Sequence, residues 1–265
     1  MKKFAIIGCG NMGGALARGL AQGTIVREED ICVSNPSEGK LQRLKESFPG
    51  MQVTTDNRTC IQGADIIVLA VKPWILDSVI REILPEIDAS RQTVCSMAGG
   101  VGLEQLKKMF EPLTLPLYYL IPNTAIARRE SMTFLASANS TPEMDAYLLS
   151  ALRELGEAML VEERLMNAGM VLASCGIANA LRYVRAATEG GVQLGFRAGE
   201  AQRIVAQTLR GAASLLEAEG AHAEAEIDKV TTPGGLTIRG LNAMEQAGFT
   251  NAVIQGLLAA MPNKK

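Results

Sequence analysis

The stretch Phe4-Ala5-Ile6-Ile7-Gly8-Cys9-Gly10-Asn11-Met12-Gly13 decides the fold. Four apolar residues make a short strand, and a GxGxxG loop follows it and opens a helix over residues 13–22, with Leu16 and Leu20 four apart. Gly8 permits a tight turn, and Gly10 lets a pyrophosphate approach the backbone. Gly13 lets the helix pack closely on the strand, and Asn11 and Met12 complete a loop that aims the helix N-terminus at an anion. The same spacing also occurs in ligand-free glycine turns. The strand-loop-helix context is what points to a dinucleotide.

Outward from this loop, short apolar runs alternate with helical patterns. Strands are predicted at 31–34, 52–54, 66–71, 93–96, 117–121 and 132–136, and helices at 41–48, 74–84 and 103–110. The unbroken Ile66-Ile67-Val68-Leu69-Ala70-Val71 suits a strand covered on both faces. This alternation predicts a parallel, doubly wound sheet of the Rossmann type over residues 1–163. After about Glu163 the strand signal stops, and helices punctuated by Gly190-Gly191, Gly220 and Pro233-Gly234-Gly235 fill an all-α domain over residues 164–265. Met166 to Ala187 reads as one long helix, almost uncharged until Arg182. A helix apolar on nearly every side must be buried. In so small a domain the burial falls between subunits, which predicts a homodimer and makes this the dimerisation domain.

Composition removes whole classes of function. The 265 residues are 48% hydrophobic, enough for a core. With 26 Lys+Arg against 28 Asp+Glu and 4% aromatics, no basic field or stacking platform for nucleic acid is expected. The single histidine, His222, sits in Ala-His-Ala-Glu and reads as a surface residue, so neither a metal site nor a histidine triad is expected. Cys9, Cys32, Cys60, Cys95 and Cys175 form no CxxC and read as free thiols of a reducing compartment. No apolar run suits a membrane span, and the run after Met1-Lys2-Lys3 is too short for a signal peptide, so a cytoplasmic location is expected.

The strand ends suggest the cofactor. The second strand closes on Ser34-Asn35-Pro36-Ser37 with no carboxylate before Glu38. An acid there would hold a ribose 2′-OH and repel a 2′-phosphate, so neutral Ser34 and Asn35 favour NADPH, with NADH still possible. The plain alternative is an Asn-Pro turn. Ala70-Val71-Lys72-Pro73 ends the central strand and places Lys72 at the ligand crevice, unless it is only a solvated loop lysine. In Ser96-Met97-Ala98-Gly99-Gly100, small Ala98 and Gly99 leave room for a flat nicotinamide. In the helical domain, Val230-Thr231-Thr232-Pro233-Gly234-Gly235-Leu236-Thr237 sets three threonines about a Pro-Gly-Gly turn before a helix. Exposed N–H groups there suit a small carboxylate, with Thr232 and Thr237 adding hydroxyls. A capped interhelical turn is the alternative.

These segments carry a resemblance. GCGNMG at 8–13, AVKP at 70–73, SMAGG at 96–100, PNT at 122–124 and above all VTTPGGLTIRGLNAME at 230–245 make the chain resemble pyrroline-5-carboxylate reductases over essentially its whole length. The resemblance implies a Rossmann domain, a helical domain that dimerises through intertwined helices, and further assembly into rings. It implies that Asn57 lies near the adenosine ribose and Asn123 near the cofactor. It also implies that Thr237 hydrogen-bonds the substrate ring nitrogen as the catalytic contact, with Thr232 and the amides of Gly234, Gly235, Leu236 and Thr237 cradling its carboxylate. The chain departs from the family pattern at Tyr119, over Ala173 to Asn179, and at Leu236, where a small residue is usual.

The implied reaction is hydride transfer from NADPH to the C=N carbon of 1-pyrroline-5-carboxylate, giving L-proline in the last step of proline biosynthesis. A protonated imine is already electrophilic, so a site poor in acids and bases suffices and orientation is the main task. A β-hydroxyacid dehydrogenase would share the layout. Ketone reduction wants a proton donor, however, and no lysine lies in 166–188; those after residue 163 are Lys229, Lys264 and Lys265. A reductase of a related cyclic imine and a non-catalytic NADP-binding paralogue remain the alternatives.

Overall fold

The computed structural model describes residues 1–262. It divides into two compact units, Met1–Ser174 and the residues from Cys175 on.

The first unit follows the alternation of its sequence. Its elements are β1 (Phe4–Ile7), α1 (Asn11–Ala21), β2 (Ile31–Ser34), α2 (Glu38–Ser47), β3 (Gln52–Thr54), α3 (Asn57–Ile61), β4 (Ile66–Leu69), α4 (Pro73–Ile83), β5 (Thr93–Ser96), α5 (Leu103–Phe110), β6 (Leu117–Ile121), β7 (Ser131–Ala138), α6 (Pro142–Arg153), β8 (Gly156–Leu160) and α7 (Met166–Gly169). They build one eight-stranded sheet in the order β3-β2-β1-β4-β5-β6-β7-β8. Alternate residues of β1 serve opposite faces. Phe4 and Ile6 meet Leu16 and Leu20 of α1 with Leu148 and Leu152 of α6. Ala5 and Ile7 meet Ile61 of α3, Leu76 and Ile80 of α4, and Leu106 and Phe110 of α5. Apolar cover on both faces is the reason the strands lack a polar period.

The sheet is not wholly parallel. β1 to β6 run parallel, but β7 is antiparallel to β6, and β8 then pairs parallel with β7. The cause is the β6–β7 link. It is a 3₁₀ turn at Thr124–Arg128 closed by Arg129 at φ 59°, with no crossover helix, so the chain reverses directly. β4 ends at Leu69, two residues short of the predicted strand, because Ala70 and Val71 already belong to the loop. The sequence pattern also misses α3, α6 and β8. The last of these is a sheet-edge strand whose mostly exposed Glu157, Met159 and Leu160 give no apolar run.

The second unit holds α8 (Gly176–Gln193), α9 (Ala198–Leu215), α10 (Ala223–Lys229), α11 (Leu236–Gln246) and α12 (Phe249–Ala259). The predicted long helix over 166–187 is therefore interrupted. Between α7 and α8 the backbone widens into a π-type segment at Met170–Cys175. Among the described residues from 175 on, only Ala201 is buried; it packs where α8 and α9 approach at Gly191. His222 is exposed and caps α10, its Nδ1 accepting the Glu224 N–H at 3.3 Å. Among the described residues, no helix is long and apolar enough to cross a membrane, and no cluster of His, Cys, Asp or Glu suits a metal ion.

Candidate active site

The strand order reverses direction at β1, whose neighbours are β2 and β4. Register sets four loops on one edge of the sheet there. Ile7 pairs with Ser34 and Leu69, and Leu69 with Ser96, so Gly8, Asn35, Ala70 and Met97 all leave the carboxyl edge together. That edge at a topological switch point is where open α/β sheets bind ligands.

The glycine loop is built as its spacing demands. Gly8 has φ 109°, and a Cβ there would lie 2.6 Å from the Ala70 carbonyl oxygen. A Cβ on Gly13 would collide with the Gly8 carbonyl oxygen and lie 2.7 Å from the Ala70 Cβ. Gly10 is different: nothing lies within 4 Å of the position its Cβ would take. The first α1 amide to bond back is Gly14, to Gly10 at 2.9 Å, which leaves the N–H groups of Asn11, Met12 and Gly13 as the helix's orphan donors. An open backbone edge beside orphan donors fits a pyrophosphate.

Two residues assigned to the 2′-phosphate face inward instead. Ser34 is wholly buried, and its hydroxyl donates to Asn57 Oδ1 at 2.7 Å. Asn35 is buried as well; its Oδ1 accepts the Cys9 N–H at 3.0 Å and its Nδ2 donates to the Ser37 carbonyl at 3.2 Å. Both are buried and held by the loop itself, with the Ser34 hydroxyl proton already spent on Asn57. The sheet is covered on both faces, so side chains of either parity are enclosed, and Ser34 shares its face with Cys32 and meets Asn57 of α3 there. Asn57 is half-buried and fixed at both ends, since its Nδ2 also donates to Glu82 Oε2 at 2.8 Å.

Lys72 is exposed at the N-terminus of α4, with Pro73 in the first turn, and its Nζ lies 6.0 Å from the Trp74 ring centroid. Ala98 is buried, while Gly99 and Gly100 are exposed with open space where a Cβ would go. Tyr119, unremarkable in the sequence except as a departure, braces this loop: its hydroxyl accepts the Gly100 N–H at 3.0 Å. Asn123 is buried and caps the turn after β6, its Oδ1 accepting the Ala125 N–H at 2.9 Å and its Nδ2 donating to the Ala173 carbonyl at 3.4 Å. It serves the fold here, away from open space.

Three cations escaped the sequence reading. Arg18 of α1 with Lys40 and Arg43 of α2 lines a cleft of about 330 Å³ shared with Cys9, Gly10 and Asn11. Burial pushes the Cys9 thiol up, while Arg18, Lys40 and Arg43 pull it the other way. The signal available was the three-residue spacing of Lys40 and Arg43, which puts both on one helical face.

In the second unit, Thr232 to Gly235 forms a tight turn. The Gly235 N–H donates to the Thr232 carbonyl at 2.9 Å, with Pro233 second and Gly234 third at φ 68°. Pro then Gly at these places is the type II pattern. The turn delivers Gly235 as the N-cap of α11. The Gly235 amide is occupied within the turn, which leaves as donors the Gly234 amide and those opening α11 at Leu236 and Thr237. Thr232 and Thr237 are exposed, and Leu236 is 81% exposed beside them.

Comparisons with known proteins agree across both units. Residues 163–265 match the family model described as pyrroline-5-carboxylate reductase dimerisation. Residues 3–100 match that described as NADP oxidoreductase coenzyme F420-dependent. A pyrroline-5-carboxylate reductase of Methanosarcina acetivorans is 34% identical, over 100% of this chain and 97% of its own length. Pyrroline-5-carboxylate reductase 1 of Dictyostelium discoideum is 36% identical over 97% of this chain, which spans about half (48%) of that longer relative. The crystal structure of the Plasmodium falciparum pyrroline carboxylate reductase with NADP bound superposes with a TM-score of 0.84 at 25% identity, over 98% of this chain and 95% of that one.

Proposed function

The chain belongs to the pyrroline-5-carboxylate reductase family, and from that premise we propose that it reduces 1-pyrroline-5-carboxylate to L-proline with NADPH, as the last step of proline biosynthesis. The observation that carries the substrate is the type II turn at Thr232–Gly235. It opens α11 with free amides and the exposed hydroxyls of Thr232 and Thr237, a set of donors suited to one small carboxylate and one ring nitrogen.

When bound, NADPH supplies the hydride that reduces the C=N bond. The residues that would hold its pyrophosphate are Gly8 to Gly13, whose open Gly10 edge and orphan amides fit that group. The flat, open Gly99-Gly100 segment would face the nicotinamide, and Asn57 the adenosine ribose. Thr232 and the Gly234, Leu236 and Thr237 amides bind the carboxylate, and the Thr237 hydroxyl orients the ring nitrogen. The nitrogen of the imine enters protonated, so the added hydride completes a secondary amine with no proton required from the chain. Orientation therefore provides most of the rate.

The protein is a homo-oligomer through its second unit. We read the basic assembly as a homodimer that extends to a ring, and the location as cytoplasmic, where the five free thiols remain reduced. The test is a steady-state assay of the purified chain with NADPH and 1-pyrroline-5-carboxylate, following loss of NADPH absorbance and formation of proline. Turnover is expected, with NADH a poorer donor. NADPH binding without turnover would sink the reading in favour of a non-catalytic paralogue.

A further inference from the structure

We infer that Lys40 and Arg43 of α2 form the 2′-phosphate site of this protein and set its preference for NADPH over NADH. The inference rests on the cofactor reading above and deepens it. The adenine ribose of a dinucleotide lies at the end of the second strand, beside the glycine loop. Here the side chains at that strand end are buried and turned to the protein: Ser34 is engaged with Asn57, and Asn35 with Cys9 and Ser37. The cleft that the glycine loop shares with α1 and α2 is cationic instead. Lys40 and Arg43 open the first turns of α2 and line the same cleft as Gly10 and Asn11.

Three further observations agree. Lys40 and Arg43 are exposed, and neither forms an ion pair among the described residues, so no carboxylate neutralises them. Arg43 is directed rather than loose, with its Nε donating to the Gly39 carbonyl at 3.1 Å. The Ser37 hydroxyl caps nothing in α2, which leaves it and the first amides of that helix for an anion. A dianionic phosphate gains from all of these, while a bare 2′-hydroxyl gains almost nothing. The site therefore discriminates by charge from α2 and not by hydrogen bonds from β2.

The test is a double variant, Lys40→Gln with Arg43→Gln, in the full chain. Calorimetry measures the dissociation constants of NADPH, NADH and 2′,5′-ADP. Charge-assisted hydrogen bonds are the strong ones, so the ratio of the NADH to the NADPH constant is expected to fall at least tenfold, roughly 1.4 kcal/mol. The constant for 2′,5′-ADP should rise in step. The charge-preserving variant Lys40→Arg with Arg43→Lys should recover most of the ratio, and a native circular dichroism melt keeps misfolding from mimicking the effect. In the wild type, NADPH affinity should fall more steeply with salt than NADH affinity. A ratio that falls less than about threefold, or an equal loss for both nucleotides, overturns the assignment while leaving the reductase reading intact. A wild-type chain that binds neither NADPH nor 2′,5′-ADP overturns both.

Discussion

The two units solve burial in opposite ways. In Met1–Ser174, both faces of the sheet are sealed by helices of the same unit, and residues as large as Tyr118, Phe110 and Leu20 are fully buried. From Cys175 on, α8, α10, α11 and α12 bury nothing within the chain, and α9 buries only Ala201. Leu181, Val192, Ile204, Leu215, Ile254 and Leu258 all remain exposed. Helices draw most of their stability from packing an apolar face. The first unit is thus a self-contained scaffold, and the second is a half-core that a second copy completes. The lesson is that the same apolar fraction can encode an interior or an interface, and periodicity distinguishes them only when the domain's size is weighed too.

The sharpest way to break this contrast is a charge on α8. Leu181 is 61% exposed in one chain. If a partner chain covers it, Leu181→Glu buries an unpaired carboxylate at a cost of several kcal/mol, on the order of a thousandfold in the dimer dissociation constant. Light scattering should shift from an oligomer to single chains, and activity should disappear with it. An oligomer that persists at low micromolar concentration would show that Leu181 lies outside the interface.

Within the first unit, two loop glycines make a matched pair. Gly13→Ala pushes a methyl into the Gly8 carbonyl and the Ala70 Cβ, backbone and scaffold that cannot swing away. A cost of about 3 kcal/mol is expected, seen as a fall of roughly 10 °C in Tm together with lost NADPH binding. Gly10→Ala meets no atom within 4 Å. Its Tm should stay within about 2 °C, while the NADPH dissociation constant rises about tenfold because the methyl occupies the ligand's approach. A Gly10→Ala variant that binds NADPH normally would remove the pyrophosphate from that edge.

In the second unit the comparable test is Thr237→Ala. Thr237 is exposed and makes no side-chain hydrogen bond within the described residues, so stability should not change. If its hydroxyl orients the imine nitrogen, kcat/KM should fall about tenfold or more with NADPH affinity retained. Equal activity would return the segment to the role of a simple interhelical turn.

The sequence shows the scaffold clearly because its signals are local. The strand-loop-helix at 4–13 and the Pro-Gly turn at 233–234 each depend on residues next to one another, and both fold as their spacing requires. Signals that depend on distant partners are invisible there. Nothing near Tyr119 announces that its hydroxyl meets Gly100, and nothing near Asn57 announces Glu82. The reversal at β7 follows from the absence of a crossover helix, which a strand pattern does not register. Asn123 matches a motif yet caps a turn, because a motif fixes residue type and not the direction in which the side chain points.

Ser34 gives the smallest effect and the finest distinction. Its residue type suggests a phosphate ligand, but its position on β2 sends the hydroxyl into the protein, where it donates to Asn57. Ser34→Ala should therefore act on stability and not on selectivity. Losing one buried hydrogen bond and leaving the Asn57 carbonyl oxygen without that donor costs about 1 kcal/mol, a fall of roughly 3 °C in Tm. Nucleotide affinity should drop slightly for NADPH and NADH alike as Asn57 loosens, while their ratio holds. A ratio that collapses in Ser34→Ala and survives in the Lys40 and Arg43 variant would move the 2′-phosphate from the charged face of α2 to the neutral end of β2. Selectivity would then be read by hydrogen bonds, and the salt dependence of NADPH affinity would match that of NADH.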